Sequence, residues 1–506
     1  MSDLRMVENT FANLCRGAAV ALTVIVLPPF LARILSKDTY TTWLLILQLS
    51  TYINLLDLGI QTAIGRFVAH YNELGDPRQR NSIISSAVAI LVGSGLIALS
   101  IVPLLSMQLG NIFKDMPIEL QEDARMALLL TGGSLAVSLP FSVFGAVFLG
   151  LYRNDVPAWI IGTGKIFAGI FVILIANLTH SIVAMAIVVG AVNIITGIWQ
   201  FVAYKRIAGK GYQISIGMVS KKSLVEIRDS CLALSISTLG VLIVSGLDTV
   251  IIGFFDYKSI VYYALATTLI NFVFGFSSAM LNIIVPVASS IGARNEPEKL
   301  GELLVSATKY SVVLMLVTNL PLLLLSKTVI TLWVGAEYAT QTSYLFELSI
   351  VANFLRQIGS PYFMIAIGCG EHKKIILSPL IEAFVNLFFS IILAARIGAA
   401  GVVIGTIIGG FFSVGLHFLY NLPRTKKIFV ANKLDLITAV VIPIISVAIP
   451  LSVSYTLINT TPDFSSLSLI LIPVSWSILW KYGLNSDDRS SLYSAVKKTI
   501  LKEQSH

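Results

Sequence analysis

The sequence predicts an all-α, multi-pass membrane protein of about fourteen transmembrane helices. Hydrophobic residues make up 56% of the chain and charged residues only 12%. The mean hydropathy is clearly positive, which is not typical of a soluble domain. Long charge-free stretches recur along the chain, and each is long enough for at least one helix to cross the hydrocarbon layer.

The candidate helices follow one another with short connections. They cover residues 9–34, 39–69, 81–107, 124–151, 156–178, 181–204, 229–255, 259–293, 303–325, 341–368, 375–395, 398–421, 436–458 and 464–481. The longest polar connection, 205–228, is too short for a folded soluble domain. Because acidic residues precede the first apolar run and no small-residue cleavage site follows it, we expect a retained first helix.

Basic residues predict the orientation. Most of the 35 Lys and Arg residues fall on the side of the membrane that carries the N-terminus, and the even number of helices puts the C-terminus on the same side. The positive-inside rule therefore predicts that both termini are cytoplasmic. The net charge of +8 is mainly this topology signal together with an attraction to anionic lipids, and it does not indicate nucleic-acid binding.

An internal repeat is visible in two loops. GDPRQRNSIISSA at 75–87 and NEPEKLGELLVSA at 295–307 share an acid-Pro start and an apolar Ser-Ala end, 220 residues apart. Six helices return the chain to its starting side, so the repeat predicts two parallel six-helix bundles, the architecture of an alternating-access transporter. The predicted domains are a first bundle at 1–204, a cytoplasmic linker at 205–228, a second bundle at 229–421, two extra helices at 422–483 and a cytoplasmic tail at 484–506.

Three segments carry a family resemblance: LPPFLARILSKDTYTTWLL, LLDLGIQTAIGRFVAHYNELGD and SGLDTVIIGFFD. They resemble the Wzx-type O-antigen and polysaccharide flippases of the multidrug/oligosaccharidyl-lipid/polysaccharide (MOP) exporter superfamily. The most specific piece surrounds Asp57, Gly59 and Arg66, and the pattern covers most of residues 10–420.

This resemblance implies two bundles like those of the multidrug (MATE) exporters, with two extra C-terminal helices. It also implies the movement of undecaprenyl-diphosphate-linked oligosaccharide units from the cytoplasmic to the periplasmic leaflet of a bacterial inner membrane. Such a protein serves O-antigen or other surface polysaccharide synthesis beside the polysaccharide polymerase machinery, performs no enzymatic reaction and needs no cofactor.

Cations inside the membrane are the candidate substrate-binding residues, because a diphosphate and a polar glycan need charged and hydrogen-bonding partners there. Arg356 lies near the middle of its predicted helix, where snorkelling explains it poorly. Arg16, Lys165 and Lys309 lie two or three turns inside the cytoplasmic boundary, so each is either a cavity cation or a snorkelling side chain. Arg66 matches the resembling segment but also lies one turn from the boundary, which leaves binding and anchoring both open.

Buried acids are the candidates for coupling transport to protons or sodium. They are Asp57, Glu382 and Asp248, and the alternative for each is a structural ion pair with a neighbouring Arg or Lys. In an ideal helix Asp57 and Arg66 lie half a turn apart and cannot both face one cavity, unless Gly59 or Gly65 bends the segment. The histidines show no spacing typical of a metal site.

Three other functions stay open. A membrane enzyme acting on lipid-linked sugars usually needs a sizeable outer domain, which the short outer loops do not provide. A cation-coupled multidrug exporter of the same superfamily normally has twelve helices and acids in its cavity. A lipid II flippase has the same number of helices and the same diphosphate chemistry, and the sequence does not separate it from a glycan flippase.

Overall fold

The computed structural model describes residues 3–209, 211–231, 246–371, 374–375, 377–460, 465–486 and 488–490. These residues are helical and contain no strand. Ten helical stretches among them are long and apolar enough to cross a membrane, which makes the chain a multi-pass membrane protein. The count of fourteen remains a prediction, in part because the predicted helix at 229–255 includes residues 232–245, which lie outside the described residues.

The helices agree with the predicted ones to within a few residues at most boundaries. They are α1 Asp3–Ile34, α2 Lys37–Thr51, α3 Ile60–Glu73, α4 Pro77–Ile112, α5 Ile118–Ser138, α6 Ser142–Gly150, α7 Asp155–Thr179, α8 Ile182–Ile207, α9 Asp248–Phe255, α10 Ile260–Leu281, α11 Ile284–Ala293, α12 Pro297–Leu324, α13 Ser326–Val334, α14 Ala336–Ile358, α15 Ser360–Gly368, α16 Leu377–Ile397, α17 Ala399–Leu416, α18 Lys433–Thr460 and α19 Ser465–Ile478. Residues 221–231 are also helical.

The chain forms two compact units. The first is Met1–Thr268 with Ala394–Ala399, and the second is Leu269–Leu393 with Ala400–His506. The domain boundaries expected from the repeat remain a prediction.

Helices α1 and α7 of the first unit pack closely through glycine. A Cβ at position 162 would lie 3.4 Å from the Cα of Arg16, and one at position 169 would lie 3.1 Å from Cγ2 of Thr23. The two glycines are seven residues apart, as are Arg16 and Thr23, so both contacts lie along one seam. Small residues allow this close approach, which fixes the height of Arg16 beside α7.

The second predicted span is broken rather than continuous. A 3-10 turn at Tyr52–Asp57 joins α2 to α3, and the chain reverses its handedness at Leu58 (φ 53°) and Gly59 (φ 74°). Glycine adopts this left-handed conformation at little cost, whereas Leu58 adopts it at some strain. The bend that the sequence allowed at Gly59 is therefore present.

The repeated loops start equivalent helices. Asp76 caps α4 by accepting from the backbone N–H of Gln79 at 2.9 Å, and Pro77 is the first helical residue. Pro297 is likewise the first residue of α12 and follows an acidic residue, Glu296, whose side chain makes no capping hydrogen bond. Proline suits this position because its missing N–H would have no helical partner there. A long helix follows each of the two prolines, so the two helices begin at the same 220-residue offset that the loops show in the sequence.

The last two helices pack within the second unit. Leu320 and Leu324 of α12 share a buried apolar cluster with Val447 of α18 and Ile472 of α19. Residues 425–432, here called the strap, cross the first turn of α12 on their way to α18. The backbone N–H of Val430 donates to the carbonyl of Pro297 at 2.9 Å, and Phe429 is buried in the neighbouring apolar cluster.

Candidate functional site

A cavity of about 650 Å³ lies inside the first unit. It is bounded by α1, α2 with its 3-10 turn, the start of α3, α5, α6, α7 and α8. Its volume is within the range of roughly 300–1,000 Å³ that is usual for ligand sites. Its polar wall is formed by Arg16, Thr23, Asn54, Asp57, Gln61, Ser138, Ser142, Asn154, Lys165, Asn193, Thr196 and Gln200.

Two of the predicted cations meet in this cavity. Arg16 enters it from α1 and Lys165 from α7, and the contact of Gly162 with the Arg16 backbone holds the two helices together beside them. Within the described part of the chain, neither side chain forms an ion pair. An unpaired cation inside a membrane protein is costly unless water or an anionic ligand solvates it, so this wall suits an anion.

Asp57 reaches the same cavity because of the 3-10 turn. Side chains three residues apart are eclipsed in a 3-10 helix, which brings Asn54 and Asp57 to one side. The Oδ1 atom of Asp57 is buried and accepts no hydrogen bond from the described residues. The cavity therefore holds two cations and one carboxylate together with neutral polar groups.

A row of polar residues on α8 completes the site and was not predicted. Asn193, Thr196 and Gln200 occupy one helix face, and all three line the cavity. The signal was present in the sequence, because three polar side chains at helical spacing interrupt an otherwise apolar span. A search for ionisable residues alone misses these three neutral side chains.

Arg66 is not among the residues that line the cavity. Its guanidinium donates to Oγ of Ser230 and lies 5.2 Å from the ring centre of Phe67. Although the segment bends at Gly59, Asp57 and Arg66 therefore still face different surroundings. Gly65, beside Arg66, allows α3 to pack against α6, since a Cβ there would lie 3.2 Å from Cβ of Leu149.

Arg356 and Glu382 lie together in the second unit. Nε of Arg356 is 3.0 Å from Oε1 of Glu382, and this ion pair joins α14 to α16. It is a structural ion pair of the kind that the sequence analysis gave as the alternative to ion coupling for Glu382. Lys309 is also paired: its Nζ lies 2.7 Å from Oδ2 of Asp488, and the hydroxyl of Tyr310 donates to Oδ1 of the same carboxylate.

Asp248 is the remaining candidate acid. It is buried in the first unit and accepts a hydrogen bond of 2.6 Å from the hydroxyl of Tyr263. The structure therefore places Arg16, Lys165 and Asp57 in one cavity and the other five candidates elsewhere. Among the described residues, no group of three or more His, Cys, Asp and Glu side chains is arranged to hold a metal ion.

No protein-family model matches the sequence, and no curated protein matches it. Solved structures do share its fold. One is the lipid II flippase MurJ in an inward closed conformation, with a TM-score of 0.70 and 18% identity over 94% of this chain and 98% of that chain.

A multidrug resistance MATE family transporter of the MOP superfamily, in an inward-facing conformation, has a TM-score of 0.68 and 15% identity over 82% of this chain and 98% of that chain. A MOP superfamily transporter from Pyrococcus furiosus has a TM-score of 0.55 and 16% identity over 84% of this chain and 96% of that chain. The chain therefore has the fold of the MOP-superfamily flippases and transporters.

Proposed function

We propose that this protein is a flippase that moves an undecaprenyl-diphosphate-linked oligosaccharide from the cytoplasmic to the periplasmic leaflet by alternating access. The observation that carries the proposal is the cavity with Arg16 and Lys165 beside amide and hydroxyl side chains. A diphosphate cannot leave water without compensating charge, and hydrogen bonds between cations and phosphate oxygens are among the strong ones.

The fold supports transport rather than chemistry on the substrate. The similar solved structures are a flippase and transporters, and the helices are joined mainly by short connections. We therefore propose no enzymatic step and no cofactor. The proposed setting is the bacterial inner membrane, with both termini cytoplasmic and the polysaccharide polymerase machinery as a partner on the periplasmic side.

Movement of lipid II is the second candidate. It is favoured by the similarity to MurJ, which extends over nearly the whole of both chains. Lipid II shares the polyprenyl diphosphate, so the two cations suit it equally. Export of cationic drugs fits less well. Arg16 and Lys165 bring two positive charges to the cavity and Asp57 brings one negative charge, so the cavity has a net positive charge.

The test uses the purified protein in liposomes with undecaprenyl-diphosphate-linked oligosaccharide labelled on its sugar. We expect the label to become accessible from the opposite side, and the double variant Arg16→Ala/Lys165→Ala to need at least about tenfold more substrate for half-maximal rate. Arg125→Ala is the control, because Arg125 pairs with Glu122 and lies outside the cavity. Equal rates with and without the protein would refute the proposal.

A cellular experiment separates the two candidates. Deletion of the gene should leave lipid-linked repeat units on the cytoplasmic side and remove surface glycan if the substrate is an oligosaccharide unit. Lysis on deletion, with lipid II trapped inside, would instead identify the cell-wall precursor as the substrate.

A further inference from the structure

The polar face of α8 carries no charge that could offset the charge of a diphosphate. Asn193, Thr196 and Gln200 are neutral, and they form a wall of the cavity that holds Arg16 and Lys165. If the cavity bound only the lipid diphosphate, an apolar wall at this place would cost less free energy inside a membrane protein than a polar one.

Gln200 points most directly to a ligand. The residue is only 9% exposed and lines the cavity, yet its amide makes no hydrogen bond to the described residues. A Cβ at position 145 would lie 2.9 Å from Oε1 of Gln200, so glycine at this position lets the amide lie close to α6. Because this amide has no partner among the described residues, its donor and its acceptor are both available to a ligand in the cavity.

Asn193 is held in one orientation. Its Nδ2 donates to Oγ of Ser134 at 3.1 Å, which leaves its carbonyl oxygen as an acceptor. Asp57, on another wall of the cavity, also has an oxygen without a hydrogen-bond donor among the described residues. The cavity thus offers both acceptors and amide donors, the combination that matches hydroxyl groups because each hydroxyl donates and accepts.

The α7 helix joins this polar face to the cations. Gly164 packs on α8, where a Cβ would lie 2.7 Å from Oγ1 of Thr196, and Gly162 packs on the backbone of Arg16. Lys165 follows Gly164 directly in the sequence and lines the same cavity. The cationic wall and the amide face are therefore neighbours along one short stretch of α7.

We propose that Gln200 and Asn193 form a sugar subsite that takes the hydroxyl groups of the sugar attached to the diphosphate. This inference rests on the proposed function and specifies its ligand as a neutral sugar. With the diphosphate on the two cations, an acidic sugar would add a carboxylate to the cavity that Asp57 also lines, and like charges at low dielectric repel.

The experiment compares two lipids on the full-length protein in nanodiscs. One is undecaprenyl diphosphate without sugar, and the other carries a short neutral glycan on the same diphosphate. The variant is Gln200→Met/Asn193→Leu, which keeps side-chain volume while removing the amides. Asn111→Ala is the control, since Asn111 is exposed and hydrogen-bonds Gln108 outside the cavity.

We expect the wild type and the control to bind the glycosylated lipid more tightly than the bare lipid. The double variant should lose about tenfold in affinity for the glycosylated lipid and nothing for the bare one, as expected for two lost hydrogen bonds. An unchanged affinity for the glycosylated lipid would overturn the subsite, and so would an equal loss for both lipids. Failure of the wild type to bind either lipid would count against the proposed function itself.

A second arm tests the sugar class. A lipid whose first sugar is a uronic acid should bind the wild type more weakly than the neutral one, and Asp57→Asn should reduce that difference. Tighter binding of the acidic sugar to the wild type would contradict the assignment of a neutral sugar.

Discussion

Arg356 and Glu382 hold two helices of the second unit together through an ion pair of 3.0 Å. The Glu382 side chain is 12% exposed, so its carboxylate is largely shielded from water. Gly409 and Gly410 of α17 allow the close packing around the pair, because a Cβ at 409 would lie 3.1 Å from the Glu382 carbonyl oxygen and one at 410 would lie 3.6 Å from Cγ of Arg356. Arg356 is thus less available to an anion than Arg16 is.

Removing one partner of this pair should cost more than removing both charges. Arg356→Ala leaves the carboxylate of Glu382 buried and unpaired, so we expect a lower melting temperature and less surface glycan in cells that carry the matching biosynthetic operon. Arg356→Gln/Glu382→Gln should recover much of the melting temperature. Unchanged glycan for Arg356→Ala at equal protein level would exclude a role for Arg356 in transport.

Two glycines of α4 offer a matched test of helix packing. A Cβ at position 95 would lie 2.7 Å from the carbonyl oxygen of Ala136 on α5, whereas one at position 93 would meet nothing within 4 Å. Gly95→Ala should therefore destabilise the protein by about 1–3 kcal/mol, as overpacking does. Gly93→Ala should be neutral or slightly stabilising, since alanine is the better helix former. Thermal unfolding in detergent measures both, and similar melting temperatures for the two variants would contradict the α4–α5 contact.

The ion pair of Lys309 with Asp488 predicts a pH dependence. Burial raises the pKa of Asp488, but the hydrogen bonds from Lys309, the backbone N–H of Asn485 and Tyr310 outweigh it, so the pKa lies below its usual value of 3.8. A carboxyl group with a lowered folded pKa stabilises the fold above the unfolded pKa and loses that effect as pH falls through the folded pKa.

Asp488→Asn should accordingly lower the melting temperature at neutral pH. The difference from the wild type should shrink as the pH falls below about 3.8, where Asp488 of the unfolded chain becomes protonated, and should vanish below the lower pKa of the folded protein. A difference that stays constant across this pH range would show that the carboxylate charge contributes nothing.

Asp57 remains the candidate for ion coupling inside the cavity. If protonation or sodium binding at Asp57 drives transport, Asp57→Asn should remove the acceleration that an imposed proton or sodium gradient gives in liposomes. Exchange of lipid without a gradient should continue, because Asn keeps the shape of the side chain. A variant that responds to the gradient like the wild type would exclude Asp57 as the coupling residue.

The sequence predicted helix positions well because each span must satisfy its own backbone in lipid and therefore shows as an apolar run. The break at Tyr52–Gly59 was harder to predict. It depends on a 3-10 turn and on Leu58 in a left-handed conformation, and neither leaves a mark in hydropathy. Gly59 was the only hint, and glycine is common in membrane spans for reasons of packing.

The candidate site was predicted in part. Depth in the membrane identified Arg16 and Lys165 as cations worth considering, but it could not show that Lys309 meets Asp488, a residue 179 positions further along the chain. Arg356 seemed the best cavity cation because it is far from both boundaries, and the nearby Glu382 was visible only as a separate candidate. Which side chains of distant helices pair depends on the tertiary structure, and the periodicity of the sequence carries no information about it.

The strap makes the segment before the last two helices part of the packing of the second unit. A Cβ at position 301 would lie 1.8 Å from the carbonyl oxygen of Val430, so no residue except glycine fits where the strap crosses α12. A protein shortened after residue 424 would lose the donor to Pro297 and the buried ring of Phe429. The sequence predicts that the last two helices are additional to the repeat, yet the second unit would be incomplete without the segment that leads to them. A version of this protein truncated before that segment should not be expected to fold.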